Sequence, residues 1–469
     1  MAYDRLIESI ADYVTHPPVF SSLAYDTAKM CWLDAMGCAM LAHGFEGARR
    51  FLGPWVPGTV TPNGARVLGT SYELDPIKAA FDNGTLIRYL DYNDTWLAKE
   101  WGHPSDNLGA ILSVMDYETR SGRRDFTMQD CFRAMIMAYE IQGMLAIGNA
   151  FNGVGLDHVI LVKLASTAVS TMLMGGDKDA VMRAVSQVFV DGQSLRTYRH
   201  APNTGSRKSW AAGDACARAV QLAMMTLKGE MGYQSAITAQ TWGFQDATFR
   251  GQMITPPVFG HYVMENILFK VSYPAEFHAQ TAVEAALALY PYVNDKWDDI
   301  ERIEIETQAA GAKIIDKKGP LKNYADRDHC LQYMIAVPLL MGSLDEHAYD
   351  DAFAADPRID ALRALMHVKE NPTFTRDYLD LNKRAIPNSI QIFFKDGTST
   401  PRVQVDYPLG HRQRREESIP FLWEKARKNL SAVLSSEKVS EVLTQCESRD
   451  FHTVPVTFFM MVGADTFAL

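Results

Sequence analysis

A chain of 469 residues with 47% hydrophobic and 10% aromatic residues has the material for roughly two or three packed domains, which excludes general disorder. Its formal net charge of −10 excludes nucleic acid and anionic membrane surfaces as main partners, because both require a basic face. No apolar run approaches the ~18 residues of a membrane span. The six cysteines, Cys31, Cys38, Cys131, Cys216, Cys330 and Cys446, contain no CxxC pair, so iron–sulfur and structural zinc are not expected and the thiols read as free in a reducing compartment.

The opening "MAYDRLIESIADYV" reads as an ordinary helix, with Leu6, Ile10 and Val14 four residues apart. It lacks the layout of a secretory or transit leader, so a cytoplasmic site is expected, or a mitochondrial one if a leader has been removed. As far as about Gly243 the apolar positions recur at three and four residues, as in "SLAYDTAKMCWLDAMGCAMLA", "NLGAILSVMDYETR", "DCFRAMIMAYEIQGMLAIGNAF", "LVKLASTAVSTMLMGG" and "AAGDACARAVQLAMMTLKGEMG". Small residues are dense on these segments, which permits close helix contacts. After about Phe269 the pattern changes. "AQTAVEAALALY" is helical, but "IERIEIETQ" alternates Ile300, Ile303 and Ile305 with charges, as a half-buried strand does. "DRDHCLQYMIAVPLLMG" and "IDALRALMHV" read as helices. "NSIQIFFKDGTSTPRVQVDYP" reads as a hairpin turning at Asp396-Gly397. The last segments, "FLWEKARKNLSAVL" and "EKVSEVLTQC", are helical. The reading is mainly α with a second α+β domain: an all-helical domain over 1–268 and 413–469, and an α+β domain over 269–412.

Three stretches carry candidate chemistry. "LRTYRHAPNTGSRKSWAA" holds Arg196, Arg199, His200, Arg207 and Lys208 and no acid. It is either a solvated basic loop or an anion site. Lys208 stands just before an expected helix, and a lysine at a helix amino terminus becomes favourable when an anion shares the spot. That pattern suits a carboxylate or phosphate. "RYLDYNDTWLAKEWGHPSDN" concentrates Asp91, Asp94, Glu100, Asp106 and His103. Pro104 fits a helix opening that Ser105 or Asp106 would cap, so His103 is expected at a helix amino terminus, either as a base or as a capping residue. Asp91 and Thr95 lie four apart and would share a face if the preceding helix continued that far. The spacing matches neither an EF-hand nor HExxH, so no metal is expected. His158 follows a glycine-containing loop. Lys270 and His278 flank "FKVSYPAEFH", read as a crossing between domains, where ligand sites are common. Tyr333 lies in a helical apolar pattern and is core or functional. No glycine-rich dinucleotide or phosphate loop is present, and no cofactor is expected.

The stretches "RYLDYNDTWLAKEWGHPSDN", "VGLDHVILVKLASTAV", "LRTYRHAPNTGSRKSWAAGDA", "YVMENILFKVSYPAEFHAQTAVEAA", "IIDKKGP" and "ADRDHCLQYM" resemble the MmgE/PrpD family, in particular its 2-methylcitrate dehydratases. The resemblance implies a helical first domain, an α+β lid domain, a homodimer and dehydration of a small tricarboxylate without an iron–sulfur cluster. Similarity to the family's cis-aconitate decarboxylases implies roles for Asp91, Thr95, His103, His158, Lys208, Lys270 and Tyr333. Arg199 and His278 join them as substrate-binding candidates. Tyr89 stands where the family pattern has Trp, Tyr324 where it has Pro, and "AMGCAMLAHGFEGARRFLGP" also departs from it. Tyr89 is therefore read as a residue that tunes the pocket for a different alkyl group. The expected activity is dehydration of 2-methylcitrate or a longer 2-alkylcitrate. A decarboxylase of cis-aconitate type and a non-catalytic helical binding protein are the alternatives.

Overall fold

The computed structural model of the chain describes residues 2–200 and 202–463. The chain divides into two compact units: residues 1–196, 209–267 and 422–469 form the first, and residues 197–208 and 268–421 the second. The sequence reading had placed 197–208 with the helical domain. They join the second unit because Lys208 bonds Asp328, while Thr204 meets Asn323 and Lys317.

The first unit is built of helices whose ends are written into the sequence. Arg5–Thr15 buries Leu6, Ile10 and Val14. Ser21 caps Ser22–Ala42 by accepting from the Ala24 amide, and Asp75 caps Pro76–Arg88. Thr127 and Asp130 form a capping box at the head of Met128–Gly148. The expected close helix contacts are made by glycines. A Cβ on Gly109, in Leu108–Arg120, would stand 2.6 Å from the Gly84 Cα, and one on Gly84 would stand 2.8 Å from the Gly213 Cα. The unit also holds two short antiparallel ladders that the all-helical reading lacked: Ala65–Arg66 with Glu73–Leu74, and Trp96–Leu97 with Trp101–Gly102. Each is only two residues long, too short to leave an alternating pattern.

The second unit has a four-stranded mixed sheet in the order Met366–Glu370, Ile300–Thr307, Asn388–Phe394, Val403–Val405. The first pair is parallel and the other two are antiparallel. Ile303 and Ile305 are buried, as their alternation requires, and a register shift between Ile300 and Arg302 accompanies the burial of Ile300 as well. Residues 388–405 form the expected hairpin, with Gly397 at φ +84° in its turn. One element differs. The helix expected through "IDALRALMHV" stops at Ala364, and Met366–Glu370 becomes an edge strand. There Met366 and Val368 pair with Ile303 and Ile305, so tertiary pairing overrides a helical pattern that ran on by only a few residues. Helix Gln280–Val293 is tied to the sheet by Asn388, whose amide donates to Thr281 Oγ1 and to the His278 carbonyl.

Candidate active site

In the first unit the stretch around His103 is folded by the short ladder Trp96–Gly102. Helix Pro76–Arg88 ends before Asp91, which adopts a left-handed backbone with φ +53°. Asp91 and Thr95 therefore do not share a helix face, contrary to the expectation from their spacing. A non-glycine residue in this region is uncommon, though Asp tolerates it better than most, and such outliers gather at functional sites. The hairpin instead folds the chain back so that His103 meets both residues. His103 Nε2 lies 3.4 Å from Asp91 Oδ1, and Nδ1 lies 3.4 Å from Thr95 Oγ1. Nδ1 also sits 2.7 Å from the Asp94 carbonyl oxygen. A carbonyl can only accept, so Nδ1 carries a hydrogen and Nε2 is the atom left to exchange a proton.

His103 occupies the expected helix start, before Pro104–Asn107 and Leu108–Arg120. The cap, however, comes from Asp94 rather than Ser105 or Asp106. Asp94 Oδ1 accepts from the Ser105 amide and hydroxyl at 3.0 and 2.8 Å, and Oδ2 accepts from Tyr139 at 2.5 Å. Burial pushes the Asp94 carboxyl up to about 6, against these hydrogen bonds. Asn93 donates to Ser105 Oγ and Asp106 Oδ1, and Arg88 pairs with Asp91 and faces Asp106 at 3.9 Å. Sequence reasoning did not single out Arg88, Asn93 or Asp94 as supports. Their signal was present in the density of polar side chains beside apolar helices, since buried polar groups need partners.

His158 precedes helix Val159–Leu173, and its ring centroid is 6.0 Å from that of His103. A Cβ on Gly102 would lie 3.2 Å from His158 Cδ2, so the strand passes close over the ring. The first unit thus brings Asp91, Thr95, His103 and His158 together. Tyr89, with Phe45, packs against an apolar cluster of Cys38, Leu41, Leu90 and Tyr92. The Tyr89 hydroxyl fills the space over Gly47, where a Cβ would stand 2.2 Å from it. Two departures from the family pattern, Tyr89 and the segment containing Gly47, therefore fit each other.

Near His158, Glu100 is buried and accepts from the Asn152 amide and side chain at 2.6 and 2.9 Å. Burial pushes its carboxyl up to about 7 from an ordinary 4.5, opposed by Arg196. The folded chain thus holds this proton more tightly than the unfolded chain. The Glu100 contribution to stability is full below pH 4.5 and is lost as pH rises through about 7. Glu100→Gln mimics the protonated acid. Urea midpoints at pH 5 and pH 8 are expected to fall less in this variant than in the wild type.

The second unit holds the remaining candidates. Lys208 lies inside the first turn of helix Arg207–Leu227 rather than just before the helix, as its sequence position had suggested. Its Nζ donates to both Asp328 oxygens at 2.7 Å and lies 3.1 Å from His329 Nδ1. His329 Nδ1 is 2.8 Å from Asp328 Oδ1, and all three side chains are buried. The acid-free loop is thus balanced by an acid 120 residues away, and Asp328 and His329 were missed although "ADRDHCLQYM" contains them. Arg199 is buried, and Lys270 is wholly so. His278 sits between Glu276 Oε1 at 2.8 Å and the Tyr378 hydroxyl at 3.1 Å. The Tyr333 hydroxyl donates to the Ala348 carbonyl at 2.7 Å, and burial pushes its pKa up to about 12. Among the described residues no helix is long and apolar enough to cross a membrane.

A mainly helical unit with a buried histidine–carboxylate pair, followed by an α+β unit with a buried Lys–Asp–His cluster, holds groups suited to proton transfer. The sequence pattern of the MmgE/PrpD N-terminal domain matches residues 8–256 and that of the C-terminal domain residues 273–448, and the chain belongs to this family. It is 54% identical over 449 residues to the 2-methylcitrate dehydratase of Salmonella typhimurium, spanning 94% of this chain and 93% of the relative. It is 56% identical over 436 residues to that of Cupriavidus necator, spanning 91% and 90%. The mitochondrial 2-methylcitrate dehydratase of Yarrowia lipolytica is 52% identical over 449 residues, spanning 94% of this chain and 86% of its own.

Proposed function

We propose that this chain is a hydro-lyase that dehydrates 2-methylcitrate, or a longer 2-alkylcitrate, to the 2-alkyl-cis-aconitate. The relatives named 2-methylcitrate dehydratase over nearly the whole chain support the reaction. The observation that carries the mechanism is His103, with Nδ1 fixed by the Asp94 carbonyl, Nε2 facing Asp91 and the His158 ring beside it. In the reaction a base removes the proton α to a carboxylate, the C=C bond forms, and the tertiary hydroxyl leaves as water after taking a proton from an acid. His103 and His158 are the base and acid. Asp91 orients His103 or binds the hydroxyl, assisted by Thr95. Lys208, Arg199 and Lys270 neutralise the carboxylates where charge builds up. Tyr333 and His278 are substrate-binding residues, with polar atoms that Ala348, Glu276 and Tyr378 hold in place.

The reaction needs no cofactor, and the subunit works as a homodimer in the cytoplasm, or in the mitochondrion if a leader precedes it. Activity is expected to survive a chelator. Loss with chelator and recovery with added metal would overturn that part of the reading. Citrate, 2-methylcitrate and longer 2-alkylcitrates assayed side by side, by absorbance of the conjugated alkene, give the alkyl preference. The reading expects 2-methylcitrate or a longer homologue to be favoured over citrate. A chain that turns over no tricarboxylate but still binds one is instead a binding protein.

A further inference from the structure

His158 is backed by a clamp that the reaction scheme has not used. Asp157 Oδ1 accepts from the Val159 amide at 3.2 Å, at the start of the following helix, and the same atom lies 3.5 Å from His158 Nδ1. Its other oxygen, Oδ2, is 3.8 Å from Arg196 Nη1. Arg196 is fixed along its whole length. Its amide donates to the Gly155 carbonyl at 2.9 Å, and its guanidinium lies 4.9 Å from the Trp101 ring centroid and 4.0 Å from Glu100 Oε1. The backbone joins in, because the Asp157 amide donates to the Ser194 carbonyl at 2.9 Å and Leu156 bridges Leu195. One arginine thus holds the loop before His158 against the strand that leads to His103. Asp157, His158 and Arg196 are all at least nine-tenths buried.

We propose that Asp157 and Arg196 are positioning residues for the reaction: Asp157 keeps the hydrogen of His158 on Nδ1, so that Nε2 exchanges the proton, and Arg196 keeps Asp157 ionised and in place. This rests on the reading of His158 as an acid–base group. The physical ground is that a carboxylate facing a neutral imidazole nitrogen repels its lone pair and attracts its N–H, which selects one tautomer. The guanidinium offsets the cost of burying the carboxylate. Gly102 packs closely against the ring: a Cβ there would stand 3.2 Å from His158 Cδ2.

Asp157→Asn keeps the volume and an oxygen that can accept from the Val159 amide, but its amide N–H can face Nδ1 and select the other tautomer. Its kcat is expected to fall by about 10²–10⁴, with KM within about threefold of wild type and the melting temperature nearly kept. Arg196→Met is expected to fall similarly, with partial rescue in Arg196→Lys. Asp157→Asn added to His158→Ala is expected to cost nothing further, because the two act as one unit. If His158→Ala itself turns over normally, the acid–base reading fails and the positioning proposal with it. If His158→Ala is inactive while Asp157→Asn and Arg196→Met keep near-normal kcat, or if the losses multiply in the double variant, the positioning proposal alone is overturned. Ring 15N shifts of His158 in the wild-type enzyme decide the matter even where a variant does not fold: hydrogen on Nδ1 supports the proposal, and hydrogen on Nε2 overturns it.

Discussion

His103→Ala is expected to lower kcat by about 10²–10⁴, the range for loss of a positioned acid–base group, with a much smaller change in KM. The expectation follows from the division of labour between the two ring nitrogens. Nδ1 is committed to the Asp94 carbonyl at 2.7 Å, and Nε2 is the atom turned toward Asp91. Alanine would also leave the buried Asp94 carbonyl without this donor, at a cost of about 1–3 kcal/mol, so folding must be separated from chemistry. His103→Asn does this, because its amide can donate to the same carbonyl but cannot exchange a proton near neutral pH. Asn and Ala variants equally depressed in kcat, with Asn the more stable, are the expected pattern. Normal turnover in His103→Asn, measured by steady-state kinetics, would remove His103 from the mechanism.

Lys208→Met is expected to lose both stability and turnover. The change takes the cation from the Asp328 carboxylate, which is 1% exposed and held by Lys208 through both oxygens, and leaves it His329 at 2.8 Å. Breaking one side of a buried ion pair costs about 3–5 kcal/mol, a fall of roughly 10 °C in melting temperature for a unit of this size. Removing both charges tests which part of the loss is structural. Lys208→Met with Asp328→Leu is expected to recover most of the melting temperature, because an apolar pair of similar volume can replace a buried ion pair. Turnover is expected to stay lost, because the ammonium is then still missing. Recovery of activity together with stability would make Lys208 a structural residue. An unchanged melting temperature in the single variant would contradict the burial argument.

The helices were legible because their period, caps and breakers agree with the packing, from Ser21 and Thr127 at the amino ends to Leu6, Ile10 and Val14 on the buried face. The hairpin at Asp396-Gly397 was legible because its turn chemistry is local. What failed depends on distant partners or on a few residues of backbone. Met366–Glu370 is a strand only because Ile300–Thr307 offers it an edge. Asp91 and Thr95 would share a face only if the preceding helix ran on, but it ends at Arg88, Asp91 is left-handed, and a two-residue ladder supplies the juxtaposition instead. Lys208 was legible as an unusual cation, but its partners Asp328 and His329 were not, since nothing in the sequence pairs positions 120 residues apart. The family pattern marked Tyr89 as a pocket residue. Its packing with Phe45 and against Gly47 offers a plainer account, in which one bulky ring is matched by one absent side chain.

The measurement that bears most directly on the central claim is mass spectrometry of the product formed by the purified full-length chain from 2-methylcitrate and, separately, from cis-aconitate. The account expects 2-methylcitrate to lose one molecule of water, giving the 2-methyl-cis-aconitate, and cis-aconitate to keep its carboxylates. Loss of carbon dioxide from cis-aconitate, with no dehydration of any 2-alkylcitrate, would contradict it and assign the chain to the decarboxylases of the same fold.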